Sequence, residues 1–110
     1  MESKFSYQFT QKADADLDAI VSYIALELSN SKAAADFVCK LQEVIEEVRV
    51  FPESGSPVVN EFMLNKEVRK KLVGNYIMYY LSDFSEKTIY ILRIIYSSRN
   101  MDEILRQLDV

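Results

Sequence analysis

The stretch Val68-Arg69-Lys70-Lys71-Leu72-Val73-Gly74-Asn75-Tyr76-Ile77-Met78-Tyr79-Tyr80-Leu81-Ser82-Asp83 decides the fold. Two runs rich in β-branched and aromatic residues flank Gly74-Asn75, a pair that suits a two-residue hairpin turn. A polar turn around Ser85-Glu86 leads to a third such run, Thr88 to Tyr96, so the unit reads as a three-stranded antiparallel meander. With residues 74 and 75 as the turn, 73 faces 76 and 69 faces 80. A next turn centred on 85 and 86 sets 80 against 91 and 78 against 93. One face then holds Arg69, Lys71, Tyr76, Met78, Tyr80, Ile91 and Arg93, and the other Lys70, Leu72, Ile77, Leu81, Leu92 and Ile94. The second face is expected to carry the helices, and an offset of one residue in either turn would exchange part of the two sets.

Working back toward the N-terminus, Phe5, Tyr7 and Phe9 alternate with Ser6 and Gln8, which predicts a strand over Lys4 to Phe9. Thr10 then suits the cap of a helix in which Ala13, Leu17, Ile20, Ile24 and Leu28 recur at three- and four-residue steps. Ser29-Asn30-Ser31 breaks that pattern, and Asn30 or Ser31 caps a second helix with a stripe of Ala34, Phe37, Val38, Leu41, Val44, Ile45 and Val48. Phe51-Pro52 ends it, and Glu53 to Pro57 reads as an exposed loop. Beyond Ser97-Ser98-Arg99-Asn100, the residues Met101, Ile104, Leu105 and Leu108 predict a short amphipathic helix. The sum is one α+β domain over residues 1–110: an N-terminal strand, a helical hairpin packed on a small antiparallel sheet, and a short C-terminal helix.

Composition narrows the chemistry. A chain of 110 residues with 49% hydrophobic content supports one core. No apolar run approaches the roughly 18 residues of a membrane span and the first residues lack a leader's apolar centre, so a cytoplasmic protein is expected, with no membrane partner. The absence of histidine excludes histidine-ligated metal and histidine acid–base catalysis, and neither metal nor cofactor is expected. Cys39 has no internal partner and is expected to be an inert core residue. Residues 1–60 carry five Lys and Arg against ten Asp and Glu, a net of −5, and residues 61–110 carry eight against seven, a net of +1. Any contact with nucleic-acid phosphates must come from the second half.

Each conspicuous group has two readings. Asp14, Asp16 and Asp18 sit early on a helix and suit its dipole better than a metal, while Glu43, Glu46 and Glu47 suit a solvent face. Arg69-Lys70-Lys71 reads as edge-strand cations or as an anion site. Tyr76, Tyr79 and Tyr80 read as sheet packing before a base-stacking platform. Arg93, inside an apolar strand, is either half of an ion pair with an acidic helix residue or a functional cation. Arg99 either meets phosphate or caps the sheet.

Tyr7-Gln-Phe-Thr10 through Ala13, Asp16-Leu17, Ile20 and Tyr23-Ile24-Ala25, then Ala33-Ala34-Ala35 with Phe37, and Phe51-Pro52-Glu-Ser-Gly55 resemble the N-terminal half of the RelE/ParE toxins of type II toxin–antitoxin systems. Arg69, Gly74-Asn75-Tyr76-Ile77, Tyr79-Tyr80 and Tyr90-Ile91-Leu92-Arg93-Ile94-Ile95-Tyr96-Ser-Ser-Arg99 resemble the C-terminal half. The resemblance covers roughly residues 5 to 105. It implies the same α+β fold and a growth-arresting toxin held inactive, in a hetero-oligomer, by a co-encoded antitoxin. A segment of that antitoxin is expected to add a strand or helix over Arg69 and Arg93.

Two targets are compatible with the family: RelE-like members cut mRNA on the ribosome, and ParE-like members poison DNA gyrase. Metal-independent RNA cleavage needs groups that activate the 2′-hydroxyl, stabilise the phosphorane-like charge and protonate the leaving oxygen. Here the candidates are Arg69, Lys70, Lys71, Arg93, Tyr96 and Arg99. Tyr96 stands where many members carry histidine, and Ile77 where some ribonucleases carry arginine. The Phe51 to Gly55 segment, the full-length helical hairpin and the acidic first half tilt the reading toward the gyrase-directed branch. The alternatives are a ribosome-dependent mRNA interferase and a non-toxic antitoxin-binding module.

Overall fold

The computed structural model describes residues 4–58 and 68–97. Its order is β1 (Ser6–Phe9), α1 (Gln11–Ser22), a π-helical turn (Tyr23–Glu27), α2 (Ser31–Val50), β2 (Ser56–Pro57), β3 (Val68–Val73), β4 (Tyr76–Asp83) and β5 (Thr88–Tyr96). The strands form one five-stranded sheet in the order β1-β5-β4-β3-β2. The expected meander is β3-β4-β5, and β1 joins it parallel to β5, with Ser6 opposite Thr88 and Phe9 opposite Ile91. β2 adds a two-residue pairing on the other side, Ser56 opposite Lys70 and Pro57 opposite Arg69, within the loop expected from the sequence. The predicted helix of Met101, Ile104, Leu105 and Leu108 lies outside the described residues.

The local signals act as their chemistry requires. The Thr10 hydroxyl accepts the Ala13 N–H at 3.1 Å and donates to the Leu92 carbonyl at 3.0 Å, so the α1 cap also ties that helix to β5. The Asn30 side chain accepts the Ala33 N–H at 2.9 Å and caps α2. Helix one does reach Leu28, but its last turn is widened, with the Leu28 N–H bonded to the Tyr23 carbonyl. The wider turn takes the following residues off the apolar stripe, and Leu26 and Leu28 stand exposed. Gly74, at φ +61°, supplies the left-handed residue of the β3–β4 hairpin. Cys39 is exposed, a correction to the expected core position. Phe37 and Leu41 are buried, and a residue two positions from each points roughly to the opposite side of α2.

The β3–β4 register is the predicted one, with Val73 opposite Tyr76 and Arg69 opposite Tyr80. Between β4 and β5 it holds as far as Tyr80 opposite Ile91. An irregularity at Tyr79/Tyr80 then inserts one residue, so that Arg93 faces Tyr79 and Ile94 faces Met78. Except at Ile94, which the inserted residue brings into line with Met78, the helix-packed face is also the reverse of the expected one. The helices cover Val73, Met78, Tyr80, Ile89, Ile91 and Ile94, which cluster with Ala13, Ile20, Phe37, Leu41, Ile45 and Val48. A second buried cluster on the opposite face unites Val68, Ile77, Tyr79, Leu92 and Ile95.

The reason for the reversal lies in the charges. Lys71 and Arg93 mark their face as solvent-directed when the strands are read alone, yet the helices bring acids to both. Lys71 Nζ meets Glu47 Oε1 of α2 at 2.9 Å, and Arg93 Nε meets Asp16 Oδ2 of α1 at 2.7 Å. Leu72, assigned to the helix-packed set, lies 67% exposed on β3.

Candidate functional site

Three places on the molecule gather the side chains singled out above. The first is the junction of β3 with the Pro52–Gly55 loop. The Tyr80 hydroxyl, fully buried, accepts the Gly55 N–H at 2.9 Å and donates to the Pro52 carbonyl at 2.8 Å. Arg69, the partner of Tyr80 across the β3–β4 ladder, donates from Nη1 to the Gly55 carbonyl at 2.7 Å and to the Glu53 carbonyl at 3.3 Å. A phenol and a guanidinium thus hold one loop from both sides. A Cβ on Gly55 would lie 2.5 Å from the Tyr80 hydroxyl and 2.7 Å from the Lys70 carbonyl, so no larger residue fits unless the sheet or loop shifts. Burial raises the Tyr80 pKa above that of a free phenol, against the opposing pull of the Gly55 hydrogen bond and the Arg69 charge.

Beside this junction lies a cleft of about 500 Å³ lined by Val44 and Glu47 of α2, Ser54 to Ser56, and Lys70, Lys71, Leu72 and Ile77. Lys70 is the candidate cation most clearly presented to it, for among the described residues it makes no ion pair. Lys71 is held by Glu47.

The second place is the centre of β5. Arg93 donates from Nε and Nη2 to the two carboxylate oxygens of Asp16, at 2.7 and 3.1 Å, and Asp16 also accepts the Ile94 N–H at 3.0 Å. Both side chains are largely shielded, 13% and 16% exposed. The ion-pair reading of Arg93 is the one the structure contains, and Asp16 does more than favour the helix dipole. The helix-dipole reading did not separate Asp16 from Asp14 and Asp18. The signal is the 3.6-residue period, which puts Asp16 near the side of Ala13 and Ile20, both buried.

The third place is the far end of the sheet, where Tyr76 faces Tyr96. Their rings meet edge-on at 5.5 Å, and Phe37 meets Tyr76 likewise at 5.2 Å. With Tyr23, Ile24, Leu28, Ala33 and Asn75 they line an apolar hollow of about 620 Å³. Burial first, and then the neighbouring Tyr23 and Tyr96, raise the Tyr76 pKa above that of a free phenol.

The candidate groups are therefore dispersed. Arg69 and Lys70 lie in the sheet row of Tyr80 and its neighbour, while Tyr96 lies in the row of Tyr76, four residues along β4 and about 13 Å away at the rise of an extended strand. Arg93 lies between them, neutralised by Asp16, and Arg99 falls outside the described residues. Arg69 and Arg93, over which an antitoxin segment is expected to lie, also make contacts within the fold. Among the described residues no group of three or more acidic or cysteine side chains is placed to hold a metal.

A sheet of this order beneath a helical hairpin, with Arg69, Lys71 and Arg93 engaged in loop and helix contacts, defines a small α+β domain. Residues 7–101 match the family model of the ParE toxin of the type II toxin–antitoxin system parDE. The chain belongs to that family. Among solved structures, the chromosomal ParDE toxin–antitoxin system of P. aeruginosa is similar at 26% identity and a TM-score of 0.63, covering 84% of this chain and 96% of that one. The RelBE2 toxin–antitoxin complex of Mycobacterium tuberculosis shares the fold at 22% identity and 0.52, over 84% of this chain and 98% of that one. The archaeal RelE–RelB complex of Pyrococcus horikoshii OT3 shares it at 15% identity and 0.55, over 88% and 99%. Comparison with curated proteins gave no match.

Proposed function

We propose that this family member arrests growth by poisoning DNA gyrase and that a co-encoded antitoxin holds it inactive. The observation that carries the reading is the dispersal of the nuclease candidates: Arg69 is committed to the Pro52–Gly55 loop, Arg93 to Asp16, and Tyr96 to an aromatic contact with Tyr76, in a sheet row about 10 Å along β4 from that of Lys70. Cleavage of RNA without a metal needs its acid, base and charge-stabilising groups within hydrogen-bond reach of one phosphate. A poison that acts by seating its surface on another protein has no such requirement. The match to the ParE model and the likeness to the ParDE structure point the same way, and the solved relatives that are toxin–antitoxin complexes support an antitoxin partner. Among the described residues no helix is long and apolar enough to cross a membrane.

Induced expression of the lone chain in bacteria tests the proposal. Growth arrest with chromosomal breaks and intact total mRNA is the expected outcome. Cleaved mRNA in translating cells with whole DNA would assign the mRNA interferase activity instead, and normal growth at confirmed expression would leave only antitoxin binding.

A further inference from the structure

Three tyrosines from three elements meet at the hollow of about 620 Å³: Tyr23 from the π-helical turn, Tyr76 from β4 and Tyr96 from β5. Backbone bonds fix their positions. The Ser97 N–H donates to the Asn75 carbonyl at 3.0 Å, which ties the end of β5 to the β3–β4 turn beside Tyr76. The Leu28 N–H donates to the Tyr23 carbonyl at 3.1 Å and holds the widened turn. The Tyr96 ring stands at 69° to that of Tyr76, so the two form the walls of a corner, and Phe37 backs Tyr76 at 65°. Tyr23 and Tyr96 stay open to solvent, 50% and 47% exposed. Each contributes to the raised pKa of Tyr76, so the three phenols lie within electrostatic reach of one another. Among the described residues none of the three hydroxyls makes a hydrogen bond, and no charged side chain lines the hollow.

These features select an occupant. Aromatic ring faces carry negative charge density and attract cations, while phenol oxygens accept hydrogen bonds. An anion would meet the same faces with no basic side chain among the described residues to hold it. An apolar side chain would fill the space but leave the phenol oxygens it covers without a donor. A guanidinium meets both demands: its plane stacks on a ring, its N–H groups point outward from its edge, and it gives up water more readily than a lysine ammonium. The chain's net charge of −4 also favours a cationic partner. We infer that the hollow of Tyr23, Tyr76 and Tyr96 is a binding site for an arginine side chain presented by a partner protein. The site goes beyond the gyrase reading and does not depend on it.

The test titrates an end-blocked glycine-arginine-glycine peptide into the full chain and follows the tyrosine ring resonances by NMR. The control peptide carries citrulline, whose urea group keeps the shape and the donors of arginine but not its charge. Saturable shifts of the Tyr23, Tyr76 and Tyr96 rings are expected with the arginine peptide, and binding about fivefold weaker or more with citrulline. Tyr96→Leu and Tyr23→Leu should each weaken arginine binding to a similar extent, and Tyr96→Phe, which keeps the ring, should weaken it less. Tyr23→Leu changes a half-exposed side chain in a turn, so one variant stays readable if Tyr96→Leu disturbs the strand. Equal binding of the two peptides overturns the proposal in favour of an apolar hollow with no selection for charge. Unshifted rings in the wild type overturn it as well, and a response seen only in Arg99→Ala would give the hollow to the chain's own Arg99 instead of a partner.

Discussion

A single hydroxyl at Tyr80 satisfies two backbone groups of a loop 25 residues or more away in sequence, the Gly55 N–H and the Pro52 carbonyl. Tyr80→Phe leaves both without that partner, and a loss of about 1–3 kcal/mol in unfolding free energy is expected from denaturant titration. Gly55→Ala is expected to lower the denaturation midpoint as well, because its Cβ meets the Lys70 carbonyl, which cannot rotate aside as a side chain would. Tyr76, Tyr79 and Tyr80 also share a pH signature. Burial is the leading cause in each and raises their folded-state pKa values above the unfolded value near 10. The neutral phenol is the favoured form in the fold, so the stabilisation is fully present below about pH 10 and is lost as pH rises through the folded values. A spectrophotometric titration should show these three of the seven tyrosines ionising late, together with unfolding; seven phenols titrating together near pH 10 in a folded chain would contradict it. The sequence placed Tyr80 opposite Arg69 and preferred packing for the tyrosines over base stacking. It could not show that the two residues grip the loop, since that contact depends on where β2 joins the sheet.

At the scale of elements, two polar contacts fasten α1 to β5: the Thr10 hydroxyl on the Leu92 carbonyl, and Asp16 on Arg93 and the Ile94 N–H. Thr10→Ala removes the helix cap and this tie together and is expected to cost about 1–2 kcal/mol. Asp16→Ala leaves a mostly shielded guanidinium without its counter-ion and is expected to cost about 3 kcal/mol. The pair Asp16→Leu with Arg93→Met should regain most of that loss in a double-mutant cycle; additive losses would mean that the two side chains do not act as a unit. The caps, the hairpin turn and every strand except β2 were legible because each is written in local periodicity and turn chemistry. The face of the sheet that the helices cover was not. Both faces are apolar enough to be buried, and Lys71 and Arg93 look solvent-directed until Glu47 and Asp16 arrive from the helices. The register irregularity at Tyr79/Tyr80 leaves no mark in the alternation either, yet it carries Arg93 out of line with Met78.

For the whole molecule, the acidic first half and the nearly neutral second half acquire a structural meaning. The excess acid of the helices meets basic residues of the sheet in Glu47 with Lys71 and Asp16 with Arg93, while Glu46 serves both Lys4 and Arg49. Cations engaged in this way are poorly disposed to hold a phosphate backbone. The same commitments disperse the groups that an RNA-cleaving centre would need. The family was legible in the sequence because its motifs run the length of the domain. The target was not, because it depends on which side chains the fold turns inward.

The most direct test of that assignment uses purified components: DNA gyrase, relaxed plasmid and the isolated chain, with supercoiling and linear DNA followed as the chain is titrated in. Inhibited supercoiling and accumulation of gyrase-cleaved DNA are expected, and they should be abolished by pre-incubation with the antitoxin. Unimpaired supercoiling at saturating toxin, with mRNA cut when the same preparation is added to translating ribosomes, would contradict the account.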